Sequence, residues 1–465
     1  MNEKPLALLP ELFLLGGAIV GLLLGVFLPR QRQYVVRIVA ALALTGSVVT
    51  ALLGARNLEG AVFDGVYNVD MATSIARVVA AAAALLLLAI AATELSGHPR
   101  ETELYTLLLL GTLGTVLLAG ADDLLFLVAA YLLASIPLYG LAALAKDGSG
   151  TESALKYYLM GAFLGIVLFT GTVVLYGVGR STRYSDLVGS LAAAPRGAVA
   201  LGGIGVLAGL LFKLGAVPAH FWVPDVAEGA TTTVAAFVTT VPKVGAVLAV
   251  YRLIDVPLSH APGNWRLIVA ILAAATMTLG NLAAFFQDSV RRLLGYSTIS
   301  QAGYLLMVPV VAGRNDLALP SLALYVGAYA VTNAGAFAVV AAARTGPKLA
   351  DWRGMSRRSP ALSLALLVCL LGLVGTPPTG VFVGKLTVFT AVAQGGYGWL
   401  VVVAAVNTVA SLFYYLRWVA PVFRAPEGRG AAVSFGWSTG AAVAVAALSV
   451  AVGLGAGVVI AAVTG

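Results

Sequence analysis

The chain has 465 residues, 60% hydrophobic and only 10% charged, with a mean hydropathy of +0.97, where an ordinary soluble domain carries about 25% charged residues. No soluble core absorbs that much apolar chain, so composition alone makes this a membrane protein. The net charge of +8 comes from 28 basic and 20 acidic residues with the arginines in short loops, a topological pattern that does not point to nucleic acid.

Windows of about 20 residues give roughly fourteen spans, near 8–28, 35–54, 72–93, 104–121, 124–144, 154–178, 198–218, 230–252, 266–286, 291–312, 319–343, 360–391, 398–421 and 434–462. Met1 to Pro10 is too short and too poor in basic residues for a presequence, so the first run reads as a retained helix. The longest connections, 180–195 and 344–360, are no more than loops, and a single helical bundle follows.

Lysines and arginines left in the connections fall on two sides. One side holds Arg30, Arg32, Arg37, Arg100, Lys146, Arg291, Arg292, Arg344, Lys348, Arg353, Arg357, Arg358, Arg424 and Arg429. The other holds Lys4, Arg56, Arg180, Arg183, Arg196, Arg252, Arg266 and Arg314. The positive-inside rule makes the first side cytoplasmic and turns both termini outward, as for a multi-pass protein of a bacterial plasma membrane. Trp265, Trp352, Trp399 and Trp418 fall near span ends, where an aromatic belt would sit.

Two spans are interrupted. Pro218 removes an amide donor within Phe212-Lys213-Leu214-Gly215-Ala216-Val217-Pro218-Ala219-His220, and Gly375-Thr376-Pro377-Pro378-Thr379-Gly380 breaks the span that carries Lys385. Freed backbone groups in a membrane are tolerated only inside protein or along a wet cavity. Paired broken helices, one in each half of a chain, point to a transport site; the plainer reading is a pair of proline kinks.

Lysines beside the breaks weigh toward transport. Lys213, Lys243 and Lys385 lie in apolar spans with nothing near in sequence to neutralise them, and a charge there is costly enough to count as a functional hypothesis. Their alternative is snorkelling from a span end, least open to Lys243, which follows Pro242 in mid-span. Lys156 has Glu152 four residues before it, so a helical ion pair competes with a place on a proton route. Buried lysines can load and release protons near neutrality, and two charged amines about 10 Å apart at an effective dielectric of about 20 repel by roughly 1.7 kcal/mol. A midplane row of them is therefore a plausible proton relay. His220, Thr231, Thr232, Thr233, Ser297, Thr298, Ser300, Gln301, Asn333, Asn407, Ser411 and Tyr414 are candidate connectors, with helix-packing hydrogen bonds as their other reading. Cys369 is the single cysteine, which excludes intrachain disulfides, thiolate-ligated iron–sulfur clusters and CxxC redox chemistry. Neither a nucleotide-binding glycine motif nor a metal cluster is present in the sequence, so no cofactor and no metal are expected.

These residues carry a resemblance. Phe212-Lys213, Ala216 to Ala230 (AVPAHFWVPDVAEGA) and Pro242-Lys243 resemble the antiporter-like membrane subunits of proton-pumping NADH:quinone oxidoreductase, respiratory complex I, most nearly the N type. Met277 to Ala284, Val290 to Ser297, Ala302-Gly303-Tyr304-Leu305-Leu306 and Gly375 to Gly380 with Gly384-Lys385 match as well, and the set covers most of residues 105–420. The resemblance implies an all-α fold of fourteen transmembrane helices with two inverted five-helix repeats: leading helices in 1–100, repeats at 104–252 and 266–421, and a final helix at 434–462. It implies that Lys213, Lys243 and Lys385 carry protons with Lys156 and His220 in support, and that the partners are other membrane subunits of a hetero-oligomeric complex, the lipid bilayer and protons, with quinone met only through the complex. The chain ends after its last span, without the lateral-helix extension of the L type.

Two positions depart from the pattern. The fifth helix should carry a glutamate five residues before Pro137, where this chain has Leu132 beside Tyr131, and Gln301 stands where a histidine is expected. Asp122 and Asp123, at the edge of that span, are the nearest acidic substitutes. The functional reading is a proton-translocating subunit that does no redox chemistry itself; the alternatives are a subunit of a multi-subunit cation/proton antiporter and a scaffold that no longer pumps.

Overall fold

The computed structural model describes residues 5–54, 60–94, 97–425 and 437–464, without the side chain of Thr93. The expectations for Lys4, Arg56 and Arg429 fall outside these residues.

Lipid offers the backbone no hydrogen bonds, so a chain this apolar satisfies its amides within helices. In order they are α1 (Leu9–Phe27), α2 (Tyr34–Gly54), α3 (Met71–Glu94), α4 (Glu101–Gly120), α5 (Leu124–Leu133), α6 (Ile136–Ala142), α7 (Gly148–Gly179), α8 (Tyr184–Ala192), α9 (Arg196–Leu214) and α10 (Trp222–Gly229). There follow α11 (Thr232–Asp255), α12 (Trp265–Ala284), α13 (Val290–Leu306), α14 (Ala318–Ala343), α15 (Met355–Arg358), α16 (Pro360–Val374), α17 (Gly380–Gln394), α18 (Gly398–Phe423), α19 (Trp437–Leu454) and α20 (Ala456–Thr464). One antiparallel hairpin, β1 (Gly60–Val62) with β2 (Tyr67–Val69), joins α2 to α3 in the register Gly60↔Val69, Ala61↔Asn68, Val62↔Tyr67.

Twelve helices among the described residues are long and apolar enough to cross a membrane. The other two spans read from sequence fall on α13, which has 17 residues, and on the pair α16 and α17, 15 residues each. The bundle is built around α11, wholly buried along its apolar length and packed by α3, α4, α9 and α14. Pro242 lies inside α11 and cannot donate to the preceding turn. The Thr239 carbonyl of that turn accepts the Tyr329 hydroxyl at 2.7 Å.

Connections that the charge pattern assigns to one side meet one another. At the basic end Arg292 pairs with Asp225 at 2.8 Å, Arg100 donates to the Leu144 carbonyl, and Ser289 bridges Lys348. At the opposite end Arg252 holds Asp70 at 2.8 Å and approaches Asp122 at 3.9 Å, while Asp123 bridges Arg183. Burial raises the Asp122 carboxyl above the ordinary carboxylate range; Arg252 opposes the shift, and Asp70 and Asp123 add to it.

The aromatic-belt reading does not hold for three of its four tryptophans. Trp265, Trp352 and Trp418 are buried, and the last two pack edge to face at 5.1 Å. A position near a span end does not say which face of the helix a residue occupies. Only Trp399 of the four is exposed.

Candidate functional site

Three membrane helices end in the interior of the bundle, and each leaves carbonyls that no later turn can satisfy. Helix α9 stops at Leu214 because Gly215 turns left-handed (φ 73°), and α16 stops at Val374 in front of Gly375 (φ 89°). Only a residue without Cβ takes that conformation freely. The third end is α5, which closes at Leu133 before a new start at Ile136. Pro137, lacking an amide hydrogen, cannot continue the α5 ladder, and the Ser135 hydroxyl bonds back to the Tyr131 carbonyl at 2.6 Å.

Each end receives a lysine. Lys213 Nζ donates to the Ala134 carbonyl at 2.8 Å, Lys243 Nζ to the Leu214 carbonyl, and Lys385 Nζ to the Val374 carbonyl at 2.9 Å. The three are 0%, 0% and 4% exposed, so snorkelling is excluded. Among the described residues none of the three amines has a carboxylate within ion-pair distance. The helix ends themselves offset the charge, since a helix C-terminus carries about half a negative elementary charge. That offset is partial and fixed, which lets a proton be held without being locked in place.

Aromatic faces and hydroxyls complete the surroundings. Lys213 Nζ lies 5.3 Å from the centre of the Tyr131 ring, and Lys385 Nζ lies 4.0 Å from that of Tyr304 and 3.5 Å from Thr408 Oγ1. Tyr157, Phe212 and Trp222 stack beside the first break, and Trp222 Nε1 donates to the Phe212 carbonyl at 3.1 Å. Buried polar side chains of α11, α13 and α14 form two hydrogen-bonded groups. Asn333 Nδ2 donates to Thr239 and Thr240 Oγ1, and the Tyr329 hydroxyl reaches Thr298 Oγ1 at 3.2 Å. Gln301 takes the Tyr325 hydroxyl and donates to the Leu373 carbonyl at 2.8 Å, next to the carbonyl that holds Lys385. Beyond Lys385, Thr408 donates to the Tyr304 hydroxyl at 3.0 Å, while Asn281, Asn407 and Tyr414 bond to one another. Ser297 bonds the Tyr415 hydroxyl, and Ser411 is buried on α18. Asn333 Oδ1, Ser300 Oγ and His220 Nδ1 are buried without a hydrogen-bond partner. No group of His, Cys, Asp or Glu among the described residues is arranged to hold a metal ion.

Some predicted positions lie elsewhere. Thr231, Thr232 and Thr233 form the start of α11, where Thr231 caps the helix and the Glu94 carboxylate takes the amides of Thr232 and Thr233 at 2.8 Å each. The Thr232 and Thr233 amides and the Thr231 and Thr233 hydroxyls are committed to the helix end, and among the described residues no hydrogen bond joins them to the row. Lys156 is also outside it: its side chain is 50% exposed and pairs with Glu152 at 2.7 Å and Asp225 at 3.3 Å. It lines a polar pocket of about 170 Å³ with Ser149, Ser153, Glu228 and Arg292, at the basic end of the molecule. His220 sits in the first break, half-buried.

The family described as NADH:quinone oxidoreductase/Mrp antiporter, TM, matches residues 121–411. Subunit N 1 of the NADH-quinone oxidoreductase of Streptomyces griseus subsp. griseus is 54% identical over 434 residues, 93% of this chain and 92% of that one. The chain belongs to this family. A chain of respiratory complex I from Thermus thermophilus superposes with a TM-score of 0.84 at 33% identity, covering 98% of this chain and 99% of the other. A chain of the Mrp complex from Dietzia sp. DQ12-45-1b gives 0.87 at 20% identity over 99% and 96%, which speaks for the fold alone.

Within the NADH:quinone oxidoreductase/Mrp antiporter fold, the fifth-helix position, Leu132, lies beside a residue that does face the lysine row. Leu132 is 46% exposed and points out of the bundle, whereas Tyr131 is 1% exposed and faces Lys213. The side chain at 132 is directed away from the amine, and the fifth-helix residue whose ring lies over Lys213 is Tyr131. Asp122 and Asp123 do not replace the glutamate. Asp123 caps α5 through the amides of Leu125 and Phe126, and that helix of 10 residues, about 15 Å long, separates both aspartates from the end that holds Lys213. Leu132→Glu is therefore expected to insert poorly, at a cost of about 2.5–3.5 kcal/mol for an acidic group in lipid. Tyr131→Glu is expected to accumulate normally and to pair with Lys213. Membrane yield of the two variants, measured side by side, checks the assignment.

Gly114 of α4 lies against the α5 end so closely that a Cβ would overlap the backbone of Leu133 and Ala134. Gly114→Ala is expected to displace the carbonyl that holds Lys213 and to cost about 1–3 kcal/mol through overpacking. Thermal unfolding and proton translocation should fall together.

Proposed function

We propose that this chain is a proton-translocating membrane subunit of N type in a respiratory NADH:quinone oxidoreductase complex, and that it carries protons but no redox group. The observation that carries the reading is the row of three buried amines, each on a half-helix end and, among the described residues, none with a carboxylate partner. Identity to a curated subunit N over 93% of the chain supports the same reading.

Each amine holds a proton as ammonium and gives it up to a hydroxyl or water when a neighbouring charge rises. Coulomb repulsion between successive sites makes loading one favour emptying the next. The hydroxyl and amide groups of Thr239, Asn333, Tyr329, Thr298, Gln301 and Tyr325 form the link from Lys243 toward Lys385. His220, with a free ring nitrogen in the first break, and Lys156, in the polar pocket at the basic end, are supporting positions. Residues 104–252 and 266–421 act as two inverted repeats, each built around one broken helix, after leading helices in 1–100 and before a final helix at 434–462. The basic end faces the cytoplasm, both termini face outward, and the complex lies in a bacterial plasma membrane, where it meets quinone only through other subunits.

Everted vesicles provide the test. NADH should acidify vesicles that contain the complex, and deleting this chain should abolish that acidification while the peripheral subunits still oxidise NADH. Sodium or potassium collapsing an imposed proton gradient through this chain without NADH would favour the antiporter reading instead.

A further inference from the structure

A slot runs along one flank of the bundle, floored by α3 and α14 and walled by α2 on one side and by α19 and α20 on the other. Two adjoining cavities of about 390 Å³ and about 370 Å³ form it, and they share Val78, Val79, Ala323 and Val459. Its wall on α3 extends from Met71 to Leu86, which at about 1.5 Å per residue is about 22 Å of depth. The shallow end lies level with the last turns of α2 and α20, at Leu52 and Val463, and the deep end reaches Thr45 and Leu448.

Three occupants can be compared by size and polarity. Water needs polar partners, and Thr45 and Ser74 are the only polar side chains lining the two cavities. A transmembrane helix is about 10–12 Å across and over that depth would need roughly two to three times the combined volume. An empty slot would forfeit dispersion contacts along its whole length. One hydrocarbon chain fits the length, the width and the apolar lining.

We propose that this slot binds one acyl chain of a phospholipid whose headgroup lies at the Leu52, Met71 and Val463 end. The chain packs against the back of α14, whose opposite face carries Tyr325, Tyr329 and Asn333 of the polar link. The lipid thus braces a helix of the proton route.

A phosphatidylethanolamine with a diazirine near the end of one chain, added to the purified complex in nanodiscs, tests this. After illumination, mass spectrometry should find label on residues 71–86 and 323–331 enriched about ten-fold over the other lipid-accessible residues of this chain, the ratio that 1.4 kcal/mol of preferential binding gives. Gly327→Leu should remove that enrichment and leave the remaining label in place. A Cβ at 327 meets only Val79 Cγ2, at 3.7 Å, so the substitution enters the slot without disturbing backbone. Label spread evenly over the surface, enrichment that survives Gly327→Leu, or labelling of the slot by a diazirine isoprenoid but not by the phospholipid would each overturn the proposal.

Discussion

Lys243→Met is expected to stop proton translocation through this chain while the protein still folds and assembles. Methionine matches the length of the lysine stem and carries neither charge nor donor, so what is lost is the exchangeable proton. The Leu214 carbonyl then lacks its partner, a cost of about 1–3 kcal/mol for a buried acceptor, which is offset in part because a buried charge has also gone. Lys243→Arg separates charge from exchange: guanidinium keeps the positive charge and does not release its proton in a protein. Both variants should therefore lower proton uptake per electron in proteoliposomes, with NADH-driven acidification through this chain falling about ten-fold or more, the scale on which a positioned proton carrier is felt. Unchanged acidification in Lys243→Met would make the chain a scaffold.

The second large effect is structural. Glu11 of α1 and Arg77 of α3 form a buried two-point pair, with Arg77 Nε on Oε1 at 2.7 Å and Nη2 on Oε2 at 2.9 Å; Tyr67 of β2 adds its hydroxyl at 2.6 Å. Arg77 also donates to the Ala7 carbonyl at 2.8 Å, so this one cluster fastens the start of the chain to α3 and to the hairpin. Glu11→Ala would strand a buried guanidinium, a change that costs about 3–5 kcal/mol. Thermal unfolding should drop sharply for Glu11→Ala and recover in the double variant Glu11→Leu with Arg77→Met, where no unpaired charge remains. The cluster and the lysine row share no hydrogen-bond partner, so the double variant should still translocate protons.

How much of this was legible in the sequence depends on what each signal measures. Hydropathy reports solvent, and it located the membrane helices well, including the breaks at Pro218 and Pro377-Pro378, where proline and glycine interrupt an apolar run. It is blind to the third break, because Ser135-Ile136-Pro137 leaves the span just as apolar as before. Five residues before Pro137 stands Leu132, and the gap between α5 and α6 resets the helical phase, so that Tyr131 and not Leu132 faces Lys213. Pro137 at the second position of a new helix was the available clue.

Long-range pairing was hidden for a different reason. Glu94 serves the start of α11 from 139 residues away in sequence, and Glu11 finds Arg77 across 66; neither pairing leaves a local pattern. The buried lysines could be named because charge in an apolar span is rare enough to stand out. Their acceptors could not, since backbone carbonyls have no signature until the helix ends are known.

A row of amines that carries protons has to change protonation state as the complex works. Infrared difference spectroscopy of the complex labelled with 15N at the lysine Nζ, started by adding NADH, tests it most directly. Isotope-sensitive ammonium bands should change during turnover and lose one component in each of Lys213→Met, Lys243→Met and Lys385→Met. Protons pumped with no isotope-sensitive change in those bands would contradict it.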